Sequence, residues 1–255
     1  MKKKTVEMYG GQNKAGMNIL DEIVKVIENE NIPLNDVLES FAIYARRINI
    51  TRFLAHYELY RMVKEIPGCI VECGVYQGNS LFAFAKFLEI FHPGDRIRNV
   101  IGFDSFKGLR DFQKEDGPMY PNRSKVEGGW DAGYFRDAFH QLMELYHADQ
   151  FVPQAPRIKM IEGDIKETVP KYVEENPGLR ISLLHLDVDI FEPNLVALEN
   201  LYPRVVPGGL VVLDEYAMTE WGGESAAFEK YFGDKMPVMN KFSWTSTPGG
   251  YFIKQ

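Results

Sequence analysis

Residues 69–80 read CIVECGVYQGNS, and the way this stretch is read decides the fold. A short apolar run ends near Glu72 and passes through Gly74 and Gly78 into NSLFAFAKFLEIF (79–91), where apolar residues recur at helical spacing. A strand buried on both faces, a glycine turn and a helix make the first part of a βαβ unit. The gesture is repeated in NVIGFDS (99–105), IKMIEGD (158–164), ISLLHLDVD (181–189) and GLVVLDE (209–215). Helical segments such as KETVPKYVEEN (166–176) and NLVALENLYPRV (194–205) lie between the later runs. This alternation predicts an α/β protein built on a parallel sheet. The tail PVMNKFSWTSTPGGYFIKQ (237–255) predicts two strands joined by a turn, adding an antiparallel element at one edge.

Upstream, the stretch from Gly16 to Ile66 has three- and four-residue apolar spacing, broken at Pro33 and at the β-branched INIT (48–51). It predicts a helical extension over residues 1–66, about three helices, preceding one structural unit over residues 67–255. The interval from Ser105 to Gln154 is rich in Gly, Pro and charge before a helical RDAFHQLMELYH (136–147). An insertion of this length inside a compact domain predicts a lid, with Ser105–Tyr134 mobile until ligand closes it.

The chain has 255 residues and a net charge of −7. A clustered basic footprint is missing, which argues against a nucleic-acid partner. Only Cys69 and Cys73 occur, four residues apart, so neither a disulfide framework nor a zinc site is indicated, and Cys73 reads as packing. The start MKKKTVEMYGGQNK leads into no apolar run, and no stretch is long enough to cross a membrane; the expectation is a soluble cytoplasmic protein with no membrane partner.

Ligands of open α/β sheets bind beyond the carboxyl ends of the strands, and the acids stand there. The turn after the first run carries Glu72, Gly74 and Gly78, but in a G-x-x-x-G spacing that matches neither dinucleotide nor phosphate-loop fingerprints. Asp104 after the second run is placed to accept hydrogen bonds from ribose hydroxyls, and Asp164 after the third to meet an adenine amino group. Taken singly each acid reads as a helix cap. Together, without a phosphate-binding cation, they suit a nucleoside lacking phosphates and bearing positive charge, such as S-adenosylmethionine. The runs at 181–189 and 209–215 then end in Asp187 and Asp189 and in Asp214 and Glu215. Four carboxylates at the ends of two buried strands repel unless something positive or protic lies among them.

VECGVYQGNS, IGFDSFKGL, EGDIKETVP, LHLDVDIFEP and VVPGGLVVLDEY, in this order, resemble the macrocin O-methyltransferase family of S-adenosylmethionine-dependent sugar O-methyltransferases. The resemblance runs from about Arg52 to the C-terminus. It implies a class I methyltransferase, Rossmann-like fold, with a seven-stranded sheet whose last strand is antiparallel. For the cofactor it implies Glu72, Gly74, Tyr76, Gly78, Ser80, Asp104, Ser105, Phe106, Gly163, Asp164 and Asp187. It also implies Mg²⁺ on Asp187, Asp214 and Glu215, where Glu215 departs from the commoner Asp-Asp pair, and Asp189 as general base. The implied acceptor is a small-molecule sugar, nucleotide-linked or a glycoside, in a bacterial polysaccharide or natural-product pathway. Homo-oligomers are implied as well.

His185, inside the apolar run, reads as a core histidine. Trp130, Tyr134, Trp221 and Trp244 are candidates to stack on a sugar or base, and EWGGES (220–225) reads as a substrate-side loop. A nucleic-acid amino-methyltransferase is opposed by DVDIF (187–191), which lacks the Pro-Pro-aromatic stretch that chemistry uses. A non-catalytic S-adenosylmethionine-binding partner or sensor is the remaining alternative, opposed by the four retained carboxylates.

Overall fold

A computed structural model describes residues 18–121 and 124–255. Four helices come first: α1 (Ile19–Asn29), α2 (Leu34–Glu39), α3 (Phe41–Tyr44) and α4 (Arg47–Val63). The Asn18 side chain caps α1 by accepting from the Leu20 amide. No break occurs at INIT, which lies inside α4; the Thr51 hydroxyl donates back to the Arg47 carbonyl at 2.8 Å, an ordinary way for a helix to absorb a β-branched residue. Residues 1–17 of the expected helical extension lie outside the described residues.

The sheet follows with β1 (Cys69–Cys73), β2 (Val100–Asp104), β3 (Ile158–Glu162), β4 (Ile181–Leu186), β5 (Val205–Leu213) and β6 (Gly250–Ile253). Between them run α5 (Asn79–Phe91), α6 (Arg136–Ala148), α7 (Ile165–Glu175), α8 (Phe191–Leu201) and α9 (Gly222–Phe232). The spatial order is β3-β2-β1-β4-β5-β6, all parallel except β6, which runs antiparallel to β5. Side chains alternate across it as the strand period demands. Leu183, Leu210 and Val212 join Ile70, Phe84 and Leu88 on one face, while Leu184, Val211 and Leu213 join Val71, Phe103 and Phe228 on the other.

Six strands form among the described residues rather than the expected seven. The first arm of the predicted terminal hairpin gives one bridge, Asn240 to Tyr251, and no strand. Pro237 has no amide to offer a ladder, Val238 stands 84% exposed, and beyond Asn240 the chain turns so that Phe242 packs on Trp244 and Tyr251.

Leu59, Tyr60 and Val63 of α4 are buried in the same cluster as β1, β4 and β5 residues, whereas α1, α2 and α3 bury no residue. The expected division at residue 66 therefore falls just after a helix whose inner face belongs to the core.

Candidate active site

β1 and β4 are adjacent while their following helices leave on opposite faces, so a cleft opens at their carboxyl ends. There the two backbones touch. Gly74 has φ +88°, its amide donates to the Phe103 carbonyl at 2.9 Å, and a Cβ on it would lie 1.7 Å from the Asp187 carbonyl oxygen. Any side chain would push β1 and β4 apart. Asp104 then organises the turn: one carboxylate oxygen accepts the amides of Val75 and Tyr76 and the other that of Phe106, all at 2.7 Å. Asp164 caps α7 by accepting the Lys166 amide at 2.9 Å.

The cleft has a volume of about 440 Å³, the size of a small-molecule site, and Gly74, Tyr76, Ser80, Asp104, Ser105, Gly163 and Asp164 line its cofactor side. Three residues expected on that side do not line it. Glu72 is fully buried beneath it, accepting from the Ser80 hydroxyl and lying 3.1 Å from His185 Nδ1. Phe106 turns inward onto Phe139, and Gly78 sets the start of α5 where a Cβ would strike Phe139. Asp104 lines the cleft, but its oxygens already serve three backbone donors.

Asp187, Asp189, Asp214 and Glu215 line the same cleft at the ends of β4 and β5. What lies among them is protein. Arg52, reaching from α4, donates to Asp187 Oδ2 at 2.7 Å and to Asp214 Oδ2 at 2.8 Å, and also to the Thr247 hydroxyl at 2.8 Å. From beneath, His185 Nε2 lies 3.4 Å from Asp214 Oδ1. Glu72, His185, Asp214, Arg52 and Asp187 thus form a chain of alternating sign. His185 is a satisfied core histidine: its ring packs edge-on against His56 of α4 and Phe84 of α5, and its two nitrogens meet carboxylates. Burial lowers its basicity, yet hydrogen bonds to Asp214 and Glu72 outweigh this and hold the imidazole pKa up at about 10. Burial likewise works against ionisation of Asp214, but the Arg52 and His185 charges hold its pKa below the usual carboxylate range. Asp187 rises to about 7 through burial and the Asp214 charge.

Asp189 differs from these. It sits at φ +61°, 9% exposed, and no hydrogen bond among the described residues engages its carboxylate. Burial, then the charges of Asp187 and Asp214, raise its pKa well above the ordinary aspartate value. Glu215 is also raised, by burial and then by Asp189, and its Oε2 is buried without a partner.

Two participants have no signal of their own in the motifs. Arg52 stands in a helix well upstream of the sheet. Glu224 was read as part of a substrate-side loop, yet EWGGES forms a short 3-10 turn and the start of α9. The Glu224 side chain is fully buried, accepts the Glu215 amide at 2.9 Å and leaves Oε2 buried without a partner among the described residues. Gly223 enables this approach, since its missing Cβ would fall 2.7 Å from the Phe191 amide nitrogen.

The insertion lies docked on the body. Asp116 Oδ1 accepts the Phe191 amide at 2.6 Å, and the Lys125 ammonium donates to the Asp116 and Glu220 carbonyls beneath the Trp221 ring. Leu109, Ile190 and Trp221 pack together with Trp130, and all four face the cleft. Tyr134 and Trp244, the other expected stacking residues, do not line it.

The acid wall fits a hard divalent cation. One oxygen from each of Asp187, Asp214 and Glu215 lies within 4.8 Å of the others, and the orphaned Glu215 Oε2 is a buried acceptor awaiting a charge. The cofactor side fits a nucleoside with a cationic centre, because the glycine turn admits close approach and the nearest wall is acidic.

Sheet order, antiparallel last strand and cleft together are those of the class I methyltransferase fold. A family model described as Macrocin-O-methyltransferase (TylF) matches residues 46–252, and the chain belongs to this family. A Streptomyces olivaceus protein named 8-demethyl-8-(2,3-dimethoxy-alpha-L-rhamnosyl)-tetracenomycin-C 4'-O-methyltransferase is 29% identical over 60% of this chain and 54% of its own. The chain thus spans about half the length of the curated relatives it matches. A solved calicheamicin methyltransferase superposes with a TM-score of 0.86 at 27% identity, covering 94% of this chain and 93% of that one. An apo structure described as a TDP-rhamnose 3'-O-methyltransferase of calicheamicin biosynthesis gives 0.74 at 28% identity, covering 92% of each chain.

Proposed function

We propose that this protein transfers the methyl group of S-adenosylmethionine to a hydroxyl of a small-molecule sugar, either nucleotide-linked or in a glycoside. The observation that carries the reading is Asp189. Its carboxylate is buried and unengaged, and it lines the cleft next to Asp187, whose backbone meets the Gly74 turn. S-adenosylmethionine, when bound, supplies an electrophilic methyl on a sulfonium. A divalent cation held by Asp187, Asp214 and Glu215 would lower the pKa of the acceptor hydroxyl.

The remaining work falls to the chain. Asp189 accepts the hydroxyl proton as the acceptor oxygen bonds to the methyl carbon and the carbon–sulfur bond breaks, leaving S-adenosylhomocysteine, methyl ether and a protonated Asp189. Gly74 and Asp104 fix the turn on which the donor is aligned, and alignment within contact distance supplies much of the rate in such displacements. Trp221, Leu109 and Ile190 close the acceptor side against water.

The test is incubation with S-adenosylmethionine, Mg²⁺ and a panel of nucleotide-linked hexoses, heptoses and the matching glycosides, read by mass spectrometry, with a chelator arm. A methyl increment lost on chelation is expected. No increment on any sugar would refute the transfer, and an increment indifferent to chelator would refute the metal. A cytoplasmic location and self-association complete the reading.

A further inference from the structure

The carboxylates that fit the cation belong to β4 and β5, yet their shared partner comes from outside the sheet. Arg52 projects from α4, which packs on the sheet through Leu59, Tyr60 and Val63. Its guanidinium fork spans two strand ends, with one nitrogen on Asp187 Oδ2 at 2.7 Å and another on Asp214 Oδ2 at 2.8 Å. A third contact, to the Thr247 hydroxyl at 2.8 Å, ties the fork to the segment before β6. The planar guanidinium fixes the separation of the two oxygens it bridges, which a flexible ammonium does not. Glu224 does the corresponding service for Glu215 by accepting its backbone amide.

We propose that Arg52 is a positioning residue for the divalent cation: its guanidinium holds the Asp187 and Asp214 carboxylates side by side at the ends of the two strands. The inference rests on the metal reading above. It makes a prediction opposite in sign to that of simple electrostatics. A cation neighbour that only adds charge repels a metal ion, so neutralising it tightens metal binding. A clamp preorganises the ligands, so removing it weakens binding in spite of the charge, as loss of outer supporting groups at metal sites commonly does by about 10- to 100-fold.

The experiment is calorimetric titration of MnCl₂ and MgCl₂ into the full chain with S-adenosylhomocysteine present and no acceptor. It compares wild type with Arg52→Gln and Arg52→Lys. Both variants should bind metal roughly tenfold or more weakly than wild type, since Lys restores charge but not the fork. Unchanged S-adenosylhomocysteine affinity and a cooperative melt show that the fold persists; if Arg52→Gln does not fold, Arg52→Lys decides alone. Tighter or equal metal binding by the variants overturns the clamp and leaves the metal site standing. Absence of metal binding by wild type instead refutes the metal reading and the clamp with it.

Discussion

Asp189 and Asp104 carry the same functional group and do different things because of what surrounds it. Asp189 has no donor on it, and burial, with the Asp187 and Asp214 charges, outweighs the opposing Arg52 and Lys125 charges and raises its pKa. Replacing it with Asn keeps the shape and removes the basicity; turnover should fall by about 10² to 10⁴ in single-turnover assays, with S-adenosylhomocysteine affinity nearly intact. Turnover equal to wild type would leave proximity as the whole of the catalysis. Asp104 is saturated by three amides, and its place at the end of β2 was legible in sequence. Its partners were not, because the left-handed Tyr76 and Phe106 that aim those amides obey no periodicity. Glu224 was illegible for a related reason. A glutamate after two glycines looks solvated until Gly223 is seen to let α9 approach the start of α8.

Among the elements, α5 shows how a buried ion pair ties a helix to the strands beside it. Glu89 near its end receives Arg157, which is 1% exposed and stands just before β3, together with Arg96 at 2.7 Å and the Phe151 amide at 2.9 Å. Burial disfavours the Glu89 charge, but the Arg157 hydrogen bond and its companions outweigh it, and the pKa lies below the ordinary value of 4.5. A depressed carboxyl pKa contributes stability that is present above 4.5 and lost as pH falls through the folded value. Glu89→Gln leaves Arg157 with its backbone carbonyl acceptors but without its charge partner, and should cost about 3 kcal/mol at neutral pH. In chemical denaturation the gap between variant and wild type should hold from neutrality down to about pH 4.5 and narrow below it. A gap that widens in acid would show the pair to be a net burden. The parallel strands could be read from their unbroken apolar runs. The missing seventh strand could not, because one proline and one turn decide whether an extended segment finds a ladder.

The whole molecule presents an uneven exterior. Leu34, Leu38, Phe41 and Ile43 of α2 and α3 are each more than three-fifths exposed, and these helices bury nothing. Helices of six and four residues are marginal without a packed face, so self-association through them is expected. Sedimentation should give a mass above the monomer, and Leu38→Glu with Phe41→Glu should lower it while the melt of the sheet is unchanged; a monomeric wild type would contradict this. The chain from Glu72 through His185, Asp214 and Arg52 to Asp187 has a longer reach. Acid and base alternate along it, so replacing any interior member leaves two neighbours of like sign facing each other in a buried place. Single steps that change the sign of an interior member are therefore costly in stability. Exchanging adjacent members together keeps the alternation, so a library that varies these positions in pairs should retain more stable chains than one that varies them singly.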